Sequence, residues 1–175
     1  MIITYFISEI YITTTDLILL FSHFQMYLVR PWLYIGKQRD TENLPQLQAK
    51  QIRAMLQLEE RVEQPGVHVL YLPVRDATAI AANDLRRGVS FILLERQLGR
   101  KVMIACAAGI SRSVTFAVAA IYETEGIPLL MAYSDIVRVH SMALPHPALW
   151  KSLCLYYQQD VPYVEVLRLY NRARG

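Results

Sequence analysis

The segment Cys106-Ala107-Ala108-Gly109-Ile110-Ser111-Arg112-Ser113 carries the residue types needed for covalent phosphoryl chemistry. A cysteine thiolate is a strong nucleophile. An arginine nearby can hold two phosphoryl oxygens in one planar fork, which a lysine cannot reproduce. Gly109 lets the backbone take a turn or a close approach that a side chain would block. A loop that opens into a helix N-terminus aims several backbone N–H groups at one point and so forms a cradle for an anion. The same positive field favours the thiolate of Cys106 over the thiol. Residues Ala107, Ala108, Gly109, Ile110, Ser111 and Arg112 are therefore the expected phosphate-binding loop. The Cys-to-Arg spacing alone is weak: with two cysteines and 14 arginines in 175 residues, it arises by chance roughly one time in six. Requiring Gly109 and Ser113 as well lowers that to about one in a few thousand.

The loop must be placed by the elements on either side of it. Val102–Ala105 is an apolar run that suits a buried strand, and Val114–Tyr122 is apolar on every face, as a buried central helix is. Gly126 and Pro128 stop that helix. Upstream, Tyr27–Val29 and Leu33–Ile35 read as short strands around Pro31. Asn43 offers a cap for a short helix carrying Leu44 and Leu47, and Ile52–Leu58 alternates as a strand does. Val69–Val74 reads as a further buried strand. Asn83 is the expected cap of a longer helix with Leu85, Val89, Ile92 and Leu93 on one face, ended by Gly99. Three amphipathic stripes finish the chain: Leu129, Tyr133, Ile136 and Val137; then Leu149, Trp150, Leu153, Cys154 and Tyr157; then Tyr163, Val166, Leu167 and Tyr170. Strands interleaved with helices predict a single α/β domain with a mostly parallel sheet of about five strands flanked by helices.

The 175 residues are 54% hydrophobic and 19% charged, enough for one ordinary core and unlike a disordered chain. A net charge of +3 tolerates an anionic substrate and is too small to predict nucleic acid binding. Two cysteines, Cys106 and Cys154, make no disulfide framework and suit a cytoplasmic setting. Cys154, on an apolar stripe, reads as packing, and Trp32 and Trp150 likewise. His68, His140 and His146 show no metal-ligand spacing, so no metal and no cofactor are expected. Residues 1–25 are apolar but interrupted by Glu9, Asp16 and His23. Their runs fall short of the roughly 18 residues of a membrane span, and no Lys or Arg precedes Arg30 as a signal peptide would require. They read as an extra packed or poorly ordered extension; membrane association and an early start codon are the other readings. The main domain is expected over 26–160, with a C-terminal helix in 161–175.

The pattern Cys-x-x-Gly-x-x-Arg-Ser, here ending Gly109-Ile-Ser-Arg-Ser113, resembles the signature loop of the dual-specificity phosphatases, a branch of the cysteine-dependent protein tyrosine phosphatases. The likeness runs from about Tyr27 to Tyr157 and includes Leu33-Tyr-Ile-Gly36. It implies Cys106 as nucleophile, through a phospho-cysteine intermediate, and Arg112 as phosphate clamp. It also implies a carboxylic acid on a loop some thirty residues before the nucleophile. Asp76 matches that position directly after Val69–Val74. Asp84 is the rival, but it sits where a helix starts and a carboxylate favours the dipole. The resemblance further implies that the Ser113 hydroxyl helps the thiolate leave. One departure is plain: the family usually has His before the nucleophile, and this chain has Ala105.

The loop positions Ala107, Ala108, Ile110 and Ser111 carry no Lys or Arg, which argues for one phosphoryl group over a multiply phosphorylated lipid headgroup. The resemblance implies as partner a phosphoprotein or phosphopeptide bearing phosphotyrosine, phosphoserine or phosphothreonine, with neither nucleic acid nor membrane expected. A small phosphorylated metabolite and an RNA 5′ phosphate stay open. A second reading, kept open by Ala105, is a phosphopeptide-binding module with little turnover. A third is a sulfur-transfer domain, which has no use for Asp76.

Overall fold

The computed structural model describes residues 26–175, so the expectation for residues 1–25 lies outside the described residues. Five strands form one sheet: β1 (Tyr27–Arg30), β2 (Leu33–Lys37), β3 (Ile52–Gln57), β4 (His68–Tyr71) and β5 (Lys101–Cys106). Their order is β1-β2-β5-β3-β4; β1 runs antiparallel to β2, and the other pairs are parallel. A 3-10 turn, Gln38–Glu42, follows β2, and six helices complete the described residues: α1 (Leu44–Ala49), α2 (Ala82–Gln97), α3 (Arg112–Glu125), α4 (Leu129–Val139), α5 (Pro147–Tyr156) and α6 (Tyr163–Arg172).

Strand pleating divides the side chains into two unequal cores, because successive residues face opposite sides of a sheet. Leu33, Ile35, Leu56, Val102, Ile104 and Cys106 face the larger core with α3. Tyr34, Met55, Met103 and Ala105 face a smaller cluster closed by Leu47 of α1. Burial explains α3: every residue from Arg112 to Ile121 is buried, so the helix runs through the middle of the domain. It ends at Gly126, which takes φ 65 as a left-handed cap and donates its N–H to the Tyr122 carbonyl at 2.9 Å.

Four boundaries or faces differ from the sequence expectation. Regular β4 ends at Tyr71, because Pro73 has no N–H to continue the ladder. Alternate residues still pair with β3: Leu72 N–H reaches Gln57 O at 2.9 Å and Val74 N–H reaches Leu58 O at 3.2 Å. Helix α2 begins at Ala82, with Ala81 as its cap residue, and not after Asn83. Ile80 is buried and its N–H is held by Ser152 Oγ at 3.0 Å, which turns the chain early, and the following alanines are strong helix formers. In α6 the inward face is Tyr163, Val166, Leu169 and Tyr170, while Leu167 is exposed. Cys154 is only partly buried, and burial pushes its thiol up, with the Val161 carbonyl 3.7 Å away. Trp150 is buried with its Nε1–H on Val161 O at 3.0 Å, and Trp32 lies partly buried beneath the Arg96 guanidinium at 4.7 Å.

The position before Cys106 is set by the same pleat. Ala105 points away from Cys106 into the smaller cluster, between Gly36 of β2 and Gln57 of β3. Ala105 is fully buried, and the packing beside it is tight: a Cβ on Gly36 would meet Met103 Sδ at 2.6 Å. Ala105→His therefore overfills a closely packed site, and urea unfolding should show a loss of about 1–3 kcal/mol. An unchanged stability would mean that the cluster has room for an imidazole.

Candidate functional site

The loop after β5 carries the candidate site residues, and it lies at the carboxyl ends of the parallel strands. Cys106, the last residue of β5, is 2% exposed, and its Sγ is 3.2 Å from Ser113 Oγ. Ser113 lies in the first turn of α3 and is fully buried. Ala107 and Ala108 are exposed and mark the open side of the loop. Gly109 has φ +70, a region L side chains rarely enter, and a Cβ there would meet the Gly36 carbonyl oxygen at 3.0 Å. Both the turn and the close approach therefore require glycine. Ser111 caps α3 with no side-chain bond to the helix, and its Oγ instead accepts the His146 N–H at 3.0 Å.

Arg112 is a cation only 5% exposed. Its Nη1 donates to Val74 O at 2.9 Å and to Leu58 O at 3.3 Å, and it forms an ion pair with Glu59. Its Nε–H is buried and has no hydrogen-bond partner among the described residues; Asp76 Oδ2 lies 4.0 Å away. The guanidinium is thus fixed along one edge and presents an unused donor along the other. That arrangement suits a phosphoryl oxygen.

Asp76 stands on the loop between β4 and α2 with its side chain 55% exposed. Its Oδ1 accepts the Ala77 N–H at 2.8 Å, and Thr78 Oγ1 donates to Arg75 O at 2.9 Å across the turn. Ala77 takes φ 56, unusual for a residue with a side chain, so the turn that presents Asp76 is backbone-strained. The structure brings Asp76 to Arg112. Asp84 lies instead in the first turn of α2 and pairs with Arg87 at 3.6 Å. Arg75 and Arg86 are exposed.

Two residues at the site were not legible in the sequence. Glu59 follows β3 and pairs with Arg112; no local motif marks it. His140, just after α4, is 2% exposed and bonds the Gly109 carbonyl through Nε2 at 2.8 Å. A cleft of about 660 Å³ opens beside Ala107, Ala108 and Ile110, with Lys37, Arg39 and Glu42 on its wall. Among the described residues no cluster of three His, Cys, Asp or Glu side chains could hold a metal ion, and no helix is long and apolar enough to cross a membrane.

The family model described as "Dual specificity phosphatase, catalytic domain" matches residues 33–159. The chain belongs to that family. It is similar to dual specificity protein phosphatase 5 of Homo sapiens, 29% identical over 138 residues, covering 77% of this chain and 36% of that protein. The match thus spans about a third of that relative's length. Dual specificity protein phosphatase 22 of Homo sapiens is 30% identical over 139 residues, covering 78% of this chain and 76% of that one. The fold matches a crystal structure of DUSP15 with a TM-score of 0.71 at 22% identity, covering 85% of this chain and 94% of that one.

The pair formed by Arg112 and Glu59 can be tested directly. Glu59→Gln keeps an acceptor and removes the charge. Because Glu59 is 37% exposed, solvent screens part of the effect. The expected loss is about tenfold in kcat/KM on an aryl phosphate, about 1.4 kcal/mol, with a small change in Tm. Arg112→Lys should lose binding and rate together, since the planar fork is gone. A near-normal Arg112→Lys protein would mean that the loop is not a phosphate clamp.

Proposed function

We propose that this domain hydrolyses phosphomonoesters of phosphoproteins through a phospho-cysteine intermediate. The observation that carries the reading is the convergence of the Cys106 thiol, the Ser113 hydroxyl and the half-engaged Arg112 guanidinium around one loop at a helix N-terminus. The Cys106 thiolate attacks phosphorus; the S–P bond forms as the P–O bond to the substrate side chain breaks. Asp76 gives its proton to the leaving oxygen. Asp76, now a carboxylate, takes a proton from water, whose oxygen attacks the phospho-cysteine. The S–P bond breaks, inorganic phosphate leaves, and Ser113 Oγ–H stabilises the departing thiolate. Arg112 and the loop amides hold the equatorial oxygens throughout both steps.

The substrate class is supported by the loop's own residues. Ala107, Ala108, Ile110 and Ser111 add no cation beyond Arg112, in keeping with a single phosphoryl group. Lys37 and Arg39 on the wall of the neighbouring cleft suit acidic residues flanking the phosphorylated side chain of a peptide. Ala105 supports a second reading, a phosphopeptide-binding module with little turnover. In that case the loop binds oxyanions and the chemistry stalls.

One assay separates the readings. The unsubstituted protein should hydrolyse a generic aryl phosphate, and Cys106→Ser should lose turnover while still binding an oxyanion, since the cradle is mostly backbone. Hydrolysis retained in Cys106→Ser would sink the mechanism. Oxyanion binding without turnover in the unsubstituted protein favours the binding module. Asp76→Asn should slow the reaction by roughly 10²–10⁴-fold, and the loss should shrink for leaving groups that need no proton. If Asp84→Asn shows that pattern and Asp76→Asn does not, the acid is misassigned.

A further inference from the structure

A cradle of loop amides depends on what holds the loop carbonyls outward. In a planar trans peptide the N–H of one residue points opposite to the C=O before it. Three carbonyls of the loop are tied from outside. Ala107 O accepts the Gln38 N–H at 3.5 Å, and Ile110 O accepts the Leu144 N–H at 2.9 Å. Gly109 O accepts from His140 Nε2 at 2.8 Å, across 31 residues of chain. The first two anchors are backbone amides; the third is a side chain. It holds the peptide with the most rotational freedom, since Gly109 sits at φ +70 and has no Cβ to restrict it.

His140 is built into this position. Its ring stacks on Tyr27 with centroids 3.6 Å apart and planes 11° from parallel. A carbonyl oxygen only accepts, so Nε2 carries the hydrogen, and Nδ1 is then a buried acceptor without a partner among the described residues. An unpaired buried nitrogen is unfavourable, and the fold retains it. Burial holds the imidazole below the ordinary histidine range; the bond to Gly109 works in the opposite direction, and the charge of Lys37 adds to the lowering. The neutral Nε2–H form is therefore the one that faces the loop at neutral pH.

We propose that His140 is a positioning residue for the phosphate loop: its Nε2–H fixes the Gly109–Ile110 peptide so that the Ile110 N–H faces a bound oxyanion. The inference rests on the phosphate-loop reading of residues 106–112. It gives this chain a histidine acting on the loop from the larger core, where Ala105, facing the opposite side of the sheet, reaches nothing polar of the loop.

The test compares two variants by calorimetric binding of tungstate, an oxyanion that needs no turnover. His140→Phe keeps the stack on Tyr27 and deletes the donor; His140→Gln restores an N–H donor without the ring. His140→Phe should bind tungstate about tenfold more weakly, with KM for an aryl phosphate rising in proportion, and His140→Gln should recover most of the loss. Equal binding by His140→Phe and the unsubstituted protein overturns the proposal, as does an equal loss in both variants. An unsubstituted protein that binds no tungstate overturns the phosphate-loop reading itself, and this proposal with it. Should His140→Phe fail to fold, nitrogen-15 histidine spectra of the unsubstituted protein decide. A neutral Nε2–H tautomer whose resonance moves on tungstate binding supports the role, and an Nδ1–H tautomer, or an Nε2–H resonance that tungstate leaves in place, overturns it.

Discussion

The site depends on a buried cation. Arg112 begins α3 with almost no access to water, and a guanidinium left unpaired in such a place costs several kcal/mol. The fold meets that cost with two carbonyls and one carboxylate, all drawn from the ends of β3 and β4: Leu58, Glu59 and Val74. The same contacts draw the chain after β3, the chain after β4 and the first turn of α3 to one point. In the proposed reading, oxyanion recognition and local packing share one group, and the uncommitted Nε edge is what remains for a ligand.

The sheet explains why these pieces meet. β5 lies in the middle, between β2 and β3, and all three run parallel, so their carboxyl ends open on the same side. The end of β2 supplies the Gly36 carbonyl and the turn after it the Gln38 amide, the loop after β3 supplies Glu59, and the loop beyond β4 supplies Asp76. β5 delivers Cys106 on the face that α3 covers. Pleating sends Ala105 to the other face, so the residue before Cys106 meets the loop only through the backbone, while the Gly109 carbonyl is bonded by His140.

Much of this was legible in the sequence because it is local. Cys106, Gly109, Arg112 and Ser113 lie within eight residues, and the apolar runs on either side mark a strand and a buried helix. The alternation of apolar residues placed β3, a continuous apolar run placed β5, and Asn43 accepts the Gln46 N–H at 3.1 Å as a cap should. Asp76 needed the family's spacing as well as the residues. What was not legible is long-range. Glu59 looks like any surface glutamate until β3 is laid beside β5, and His140 carries no ligand spacing because its partner is a carbonyl 31 residues away. The start of α2 and the inward face of α6 differ from the sequence pattern for the same reason: the Ser152 contact and the packing of Leu169 belong to tertiary structure.

The central claim is that phosphorus passes through the sulfur of Cys106. The most direct measurement is a rapid denaturing quench during turnover of an aryl phosphate, followed by mass spectrometry of the peptide that carries Cys106. The account predicts one phosphoryl group on that sulfur, rising to a steady level before product release is complete and absent from Cys154. Turnover that leaves no phosphoryl group on Cys106 at any quench time would contradict it.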